Sequence, residues 1–478
     1  MKHEIWSVAA MVVGSACASF AQGQGAFGPL TRASAPTGSL TGTEGTGSPD
    51  VWVCSLPSTF YWGQSSGIHA FSVGTTSSNA GNINLDWIQN GTQHPVIGQN
   101  MFRYKDGVLE QIGQSWLKHG FCALQNTLPG CGTCSVMTTG CLSHLAPGCA
   151  DPYVATLNGA TNGLGPRSEI NPTTGAFLWP HATGTVGVTT IRSRLQVLDA
   201  DINPAQNVGA RYFVEGQYVH PQDAQADLDN NNASYREIDI ANFGFFPQST
   251  LANLGGTVAM KPAIEVWPVL DPNVQLTTVD LTGVGSGRFF VASLAKDNGD
   301  GTWNYEYAIF NMNADRAIGS VSIPASDGLT IPSIGFHDVR YHSGEPYDGT
   351  DWPGAHSAGA VTWATTPFAT NANANALRWG TMYNYRFTAN SGPVAGVATL
   401  GLFKPGGAGD PATITASIMA PGPAPCPADL NSDGTVDGAD LAGILNAFGG
   451  SGPADLNGDG TVDGVDLALL LNTFGPCP

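Results

Sequence analysis

Asp429, Asn431, Asp433, Thr435, Asp437 and Asp440 occupy positions one, three, five, seven, nine and twelve of the segment DLNSDGTVDGAD. Asp455, Asn457, Asp459, Thr461, Asp463 and Asp466 repeat the pattern 26 residues later in DLNGDGTVDGVD. Oxygen donors at that spacing suit calcium, a hard cation that takes about six to eight oxygens at roughly 2.3–2.6 Å from a loop whose alternate side chains turn inward. Thr435 and Thr461 stand at position seven, where a backbone carbonyl is the expected ligand. Gly434 and Gly460 stand at position six, where the turn needs a residue without Cβ. Asp440 and Asp466 close the loops in place of the usual Glu, and the shorter arm requires the following helix to start nearer the ion. Two calcium ions are therefore expected.

The elements that hold such loops are also patterned. Leu441, Ile444, Leu445 and Phe448 follow the first loop, and Leu467, Leu470, Leu471 and Phe474 follow the second, each at the i, i+3, i+4, i+7 spacing of an amphipathic helix. Pro427 and Pro453 lie two residues before the first ligand of each loop, which disfavours an entering helix and leaves a calcium loop with one exiting helix, an F-hand. With these features residues 426–478 resemble a type I dockerin, the duplicated calcium-loop module that attaches secreted proteins to cohesin receptors. The resemblance implies a cohesin-like or surface receptor as partner and polysaccharide breakdown as setting. The family's receptor-selecting pair before the closing acid, often Ser-Thr, is here Gly438-Ala439 and Gly464-Val465. Residues 426–478 carry eight Asp and no Lys, Arg or Glu, so this short stretch holds −8 of the chain's −19 and its folding should be coupled to the metal. Cys426 and Cys477 bracket the repeats, and a bridge between them would tie the module's ends together; pairing elsewhere is less economical.

Export is the second expectation. Residues 1–21 have Lys2 near the start, an apolar run from Ile5 to Ala18 and a Ser19-Phe20-Ala21 small-x-small site, the form of a secretory signal peptide. The run is shorter than the ~20 residues a membrane helix needs, and no later stretch qualifies, so no integral span is expected. Six further cysteines, at 54, 122, 131, 134, 141 and 149, form an even set. His119-x-x-Cys122, Cys131-x-x-Cys134 and Cys141-x-x-His144 have spacings a zinc site would permit, but an oxidising compartment favours disulfides. Secretion to the exterior or cell surface follows.

Composition bounds the rest. Charged residues are 12%, Gly numbers 62 and Pro 32, and the balance is acidic, which argues against nucleic acid as a partner. The expected order is a Gly/Ser/Thr-rich linker over 22–49, a cysteine-containing β-rich domain over 50–250, a β-sandwich-like domain over 251–404, and a Pro/Gly linker over 405–425. Strand alternation is read in Thr189 to Leu198, in Trp303, Tyr305, Tyr307 and Ile309, in Tyr383, Tyr385 and Phe387, and in Ala398, Leu400 and Leu402. Asp297 to Gly301 reads as a hairpin turn, and Val108 to Phe121 as a short helix through Leu109, Ile112 and Trp116.

Catalytic chemistry on a glycan would need two carboxyls flanking the scissile bond. Glu215, Glu237, Asp239 and Glu265 lie in strand-like surroundings but within no recognised motif, and solvated or Arg-paired acids are the commoner case. Asp227, Asp229 and Asn231 begin like a third calcium loop, then lose the Gly and the closing acid. Phe336 to Trp352 gathers His337, Asp338, His342, Glu345, Asp348 and Asp351, either a polar loop or a metal or sugar site. Trp352, Trp363 and Trp379 are either core or a flat platform for sugar rings. A non-catalytic body, binding glycan or building a surface layer, is the first expectation, and a glycoside-acting enzyme of unrecognised type the second.

Overall fold

A computed structural model describes residues 47–477, so the signal-peptide reading and most of the 22–49 linker lie outside the described residues. The chain is mainly β. In the first half an antiparallel sheet runs in the spatial order Ser249–Leu251, Thr59–Ser65, Ile68–Val73, Leu195–Leu198, Val108–Gln114, Val96–Lys105, Arg211–Val219, Ala233–Ile238, Asn253–Val258. A three-stranded sheet of Val51–Ser55, Thr75–Asn79 and Ala150–Tyr153 covers one face, and Val53, Tyr61, Met101, Val214 and Tyr218 fill the space between. The sheet crosses residue 250, where composition placed a domain boundary.

Residues 275–421 form a β-sandwich. One layer runs Gln275–Leu281, Gly287–Asp297, Trp303–Asn311, Thr381–Ala389, Ser333–His337, and the other Gly354–Ser357, Ala360–Ala364, Ile318–Pro324, Pro393–Leu402, Thr413–Pro421. Tyr305, Tyr307, Ile309, Tyr383, Tyr385, Phe387, Ala398 and Leu400 point into its core, as their period of two requires. The opposite face of the same strands is also buried: Ala308, Phe310 and Met382 meet Phe102, Leu109 and Phe213 of the first half. Both halves therefore share a third apolar layer, and strands such as Arg211–Val219 are buried on both sides from Tyr212 onward.

Three sequence readings are corrected here. Val108 to Phe121 is not a helix but two strands, Val108–Gln114 and Leu117–His119. Met101 pairs with Gly113 and Phe102 with Gln111, so Ile112 is an extra bulged residue that resets the alternation and mimics a helical spacing. A Cβ at Gly113 would run into the Gln196 carbonyl, which is why the residue that weakened the helix reading is tolerated in the strand. Of Thr189 to Leu198 only Leu195–Leu198 is strand, because Arg194 gathers the carbonyls of Gly159, Thr189 and Thr190 and holds the preceding residues in turns. The 405–425 stretch is not all linker: Thr413–Pro421 is a full edge strand paired from Gly401↔Thr413 to Pro393↔Pro421. Its small residues hid the inward alternation of Ala416, Ile418 and Ala420.

The hairpin at Asn298 to Gly301 is present, joining Gly287–Asp297 to Trp303–Asn311, with Gly299 and Gly301 at positive φ. Residues 426–477 form a small α module of two helices, Gly438–Ala447 and Gly464–Asn472, around Val436, Ile444, Val462 and Leu470. No helix among the described residues is long and apolar enough to cross a membrane.

Candidate functional site

The two Asp-rich loops fold alike. In the first, Asp429 accepts the amides of Asp433 (3.2 Å) and Gly434 (2.8 Å), Asn431 Oδ1 accepts the Asp433 amide (2.9 Å), and Asp433 Oδ1 accepts the Thr435 amide (3.0 Å). In the second, Asp455 accepts the amides of Gly458 (2.9 Å) and Gly460 (2.7 Å), and Asp459 accepts that of Thr461 (3.0 Å). Gly434 and Gly460 both sit at positive φ, +89° and +95°. Asp437 and Asp463 cap their helices through Ala439 and Val465, with Asp440 and Asp466 returning the bond to the cap amide. The donor set is all oxygen, and no Lys or Arg pairs with it among the described residues, which fits a calcium ion and no softer metal.

Asp440 is the keystone of the first loop. It is fully buried. Oδ1 accepts the amides of Leu430 (2.8 Å) and Asn431 (3.2 Å), and Oδ2 that of Asp437 (2.9 Å). The Asp437 amide, then those of Asn431 and Leu430, hold the carboxyl below its ordinary value against the opposing effect of desolvation. Asp466 repeats this through Asp463, Asn457 and Leu456. A carboxyl lowered in the fold contributes stability above the ordinary Asp value of about 3.9 and loses it as pH falls further.

Cys426 and Cys477 are bridged. Cys477 Sγ lies 3.6 Å from Asp429 Oδ2, but both sulfurs are spent in the disulfide, so the three residues are no metal site of their own. A Cys426→Ser, Cys477→Ser double variant is expected to lose about 4 kcal/mol of module stability on the loop-entropy view, read as a lower denaturant midpoint in saturating calcium. The helices bury only part of their apolar stripe. Leu445 and Leu471 on the helices, and Phe448 and Phe474 just beyond their ends at Ala447 and Asn472, remain about half exposed.

The other candidates disperse. Cys54–Cys131, Cys122–Cys141 and Cys134–Cys149 are disulfides, which removes the zinc alternative. Glu215 is fully buried, accepting Asn100 Nδ2 (2.8 Å) and the Ala263 amide (2.6 Å), and burial pushes it up to about 7. Glu237 is paired with Arg211 (2.8 Å), Glu265 with Lys261 (2.8 Å), and Asp239 holds the turn at Asn242. Asn231 Nδ2 donates to Asp50 and Asn313 Nδ2 to the Asp229 carbonyl, so that loop is a structural brace. Within Phe336 to Trp352, His337 turns to the Gln111 carbonyl (3.3 Å), His342 is buried against the Ser343 carbonyl (2.8 Å), and Asp348 braces Asn371. Asp338 meets Asn375 and is pushed up to about 6 by burial, while Glu345 receives the amides of Arg167 (2.7 Å) and Ser168 (3.2 Å). Trp352 and Trp363 are sandwich core, so no three-tryptophan platform exists.

Trp379 instead lines a cavity of about 420 Å³ where the halves meet, with Ser168, Glu169, Phe177, Asp315, Tyr347, Arg378 and Lys404. That volume lies in the range of small-molecule sites, about 300–1,000 Å³. Glu169 accepts the amides of Ala182 (2.8 Å) and Thr183 (2.7 Å), and Lys404 Nζ meets Asp315 Oδ1 at 2.6 Å. Partial burial pushes the Glu169 carboxyl up, but the Thr183 hydroxyl and the two amides outweigh it and leave it below its ordinary value. Sequence reasoning missed Glu169, Asp315, Arg378 and Lys404, which come from four separate segments of the chain. The available signal was scarcity, since Lys and Arg total only 18 in 478 residues.

Residues 427–475 match the family described as dockerin type I domain, so the chain carries a type I dockerin. A dockerin makes calcium a ligand of this chain and a cohesin the implied partner, at the exterior or the cell surface. No curated protein matches. Among solved structures, a serine-rich repeat adhesion glycoprotein from Streptococcus agalactiae aligns at 10% identity and TM-score 0.18, covering 73% of this chain and 88% of its own. The N-terminal domain of a Streptococcus gordonii adhesin aligns at 8% identity and TM-score 0.17, covering 74% of this chain and 61% of its own. Overlap that low bears on neither the fold nor the role of the body.

Proposed function

We propose that this is an exported protein whose dockerin binds two calcium ions, through Asp429, Asn431, Asp433, Thr435, Asp437 and Asp440 and their second-loop counterparts, and so attaches a glycan-binding body to a cohesin-like or surface receptor. The half-exposed Leu445, Phe448, Leu471 and Phe474 supply apolar area for that contact. The body's role rests on one observation, the cavity at the junction of the halves, where the Trp379 and Phe177 rings stand beside polar side chains. Aromatic faces take the C–H side of a pyranose while acids and amides take its hydroxyls. Non-catalytic binding is favoured over hydrolysis because both carboxyls in the cavity are already engaged: Glu169 accepts the Ala182 and Thr183 amides and Asp315 is clasped by Lys404.

The full chain on a panel of soluble and insoluble polysaccharides is the test. Retention without release of reducing sugar is expected, and Trp379→Leu should weaken it by about tenfold, roughly 1.4 kcal/mol, with the melting temperature followed as a check on folding. Reducing sugar whose release is lost in Asp315→Asn would replace this reading by the glycosidase.

A further inference from the structure

We infer that the cavity at the junction of the halves selects a sugar bearing a carboxylate, a uronic-acid residue of an acidic polysaccharide; this rests on the glycan-binding reading above. Four charged side chains line it: Glu169, Asp315, Arg378 and Lys404. Lys404 and Asp315 neutralise one another at 2.6 Å, and Glu169 is satisfied by two backbone amides. Arg378 is left over.

Its side chain is 6% exposed, yet no carboxylate pairs with it among the described residues. Nη2 donates to the carbonyls of Ala372 (2.9 Å) and Ala374 (3.1 Å), while Nε has no hydrogen-bond partner. A buried guanidinium without a counter-ion is costly, and with Nη2 committed to two carbonyls a carboxylate oxygen can still take the hydrogens of Nη1 and supply the missing charge. The guanidinium is held in place. Its carbon lies 3.7 Å from the centre of the Tyr347 ring and 5.2 Å from that of Phe403. Trp379 beside it, and the spare lone pairs of Glu169, provide for the sugar's C–H face and its hydroxyls. A neutral sugar would leave Arg378 uncompensated; a uronate would not.

Polygalacturonate and alginate, set against cellulose and xylan, give the test with the full chain by affinity electrophoresis or calorimetry. Binding to the acidic polymers is expected to be at least about tenfold tighter and to weaken as salt rises. Arg378→Met should abolish that preference. Because Arg378 packs between two rings, Glu169→Gln supplies an independent measurement: removing a like charge from the cavity should tighten acidic binding a few-fold, the opposite of structural damage. Equal retention on neutral and acidic polymers, or no tightening in Glu169→Gln, overturns the carboxylate inference while the glycan reading stands. Retention on no polymer overturns both.

Discussion

Removal of calcium is expected to unfold the terminal module while the β body stays folded. Eight aspartates within residues 426–478 have no cationic side chain to offset them, and their loops turn the carboxylates toward common points. The metal-free state is therefore strained by repulsion that the bound state relieves, and binding free energy becomes folding free energy. At calcium a thousandfold above its dissociation constant, each site would contribute about 4 kcal/mol. Far-UV circular dichroism of the full chain should lose its small helical component in EDTA and regain it on adding calcium. Calorimetry should count two ions, falling to one in Asp455→Ala. A helical signal indifferent to EDTA, or an uptake of one ion by the unaltered chain, would refute the two-site reading. Acid should act in the same direction as EDTA. Below the ordinary Asp value of about 3.9 the unfolded module takes up protons that Asp440 and Asp466, held low by their backbone donors, do not yet bind in the fold, so module stability declines with falling pH until these carboxyls protonate too.

The second large effect is expected at Arg167, which ties the two halves together. It is buried, and its guanidinium donates to Ser115 O (2.7 Å), Gln99 O (3.1 Å), Asn100 Oδ1 (2.8 Å) and, across the junction, Gly380 O (3.3 Å). Burial lowers its pKa to about 10, opposed by Glu345 and Glu215, so it remains charged at neutral pH. Arg167→Met preserves most of the volume but orphans several buried oxygens, a loss of about 3–5 kcal/mol in global stability. Chemical denaturation would measure it. A change under about 1 kcal/mol would mean that water replaces the guanidinium and that the junction does not depend on it. Glu215 adds a pH signature. Because burial raises it to about 7, the fold holds a proton that the unfolded chain has released, and stability should decline as pH climbs from the ordinary Glu value toward about 7.

The duplicated Asp-rich loops were legible because their oxygen-bearing side chains lie within twelve consecutive residues, where spacing alone sets local geometry. The sandwich was legible for a similar reason: Tyr305, Tyr307 and Ile309, or Tyr383, Tyr385 and Phe387, declare a strand by local alternation. What failed was local pattern altered by distant partners. The bulge at Ile112 exists because of its pairing with Met101 and Phe102, and the turns before Leu195 because Arg194 reaches Gly159. Disulfide connectivity was open for the same reason, as Cys54 finds Cys131 77 residues away. The cavity was invisible, since Glu169, Asp315, Arg378 and Lys404 are separated along the chain and none stands in a motif. Trp379 was singled out for its ring, and like Trp352 and Trp363 it is buried in a hydrophobic cluster, in its case with Phe177 and Ile170 beside the cavity that it also lines.

Between the last sandwich strand, ending at Pro421, and Cys426 lie four residues. They are also fastened: the Gly422 amide donates to the Gly392 carbonyl (2.8 Å), the Ser391 hydroxyl to the Pro423 carbonyl (3.0 Å), and Ala424 is buried with the sandwich core. Even fully stretched, four residues reach only about 14 Å. A body on such a short leash cannot sweep a wide volume around its mooring, so whatever it touches must lie close to the receptor, and crowded neighbours on one scaffold would have to share a common orientation.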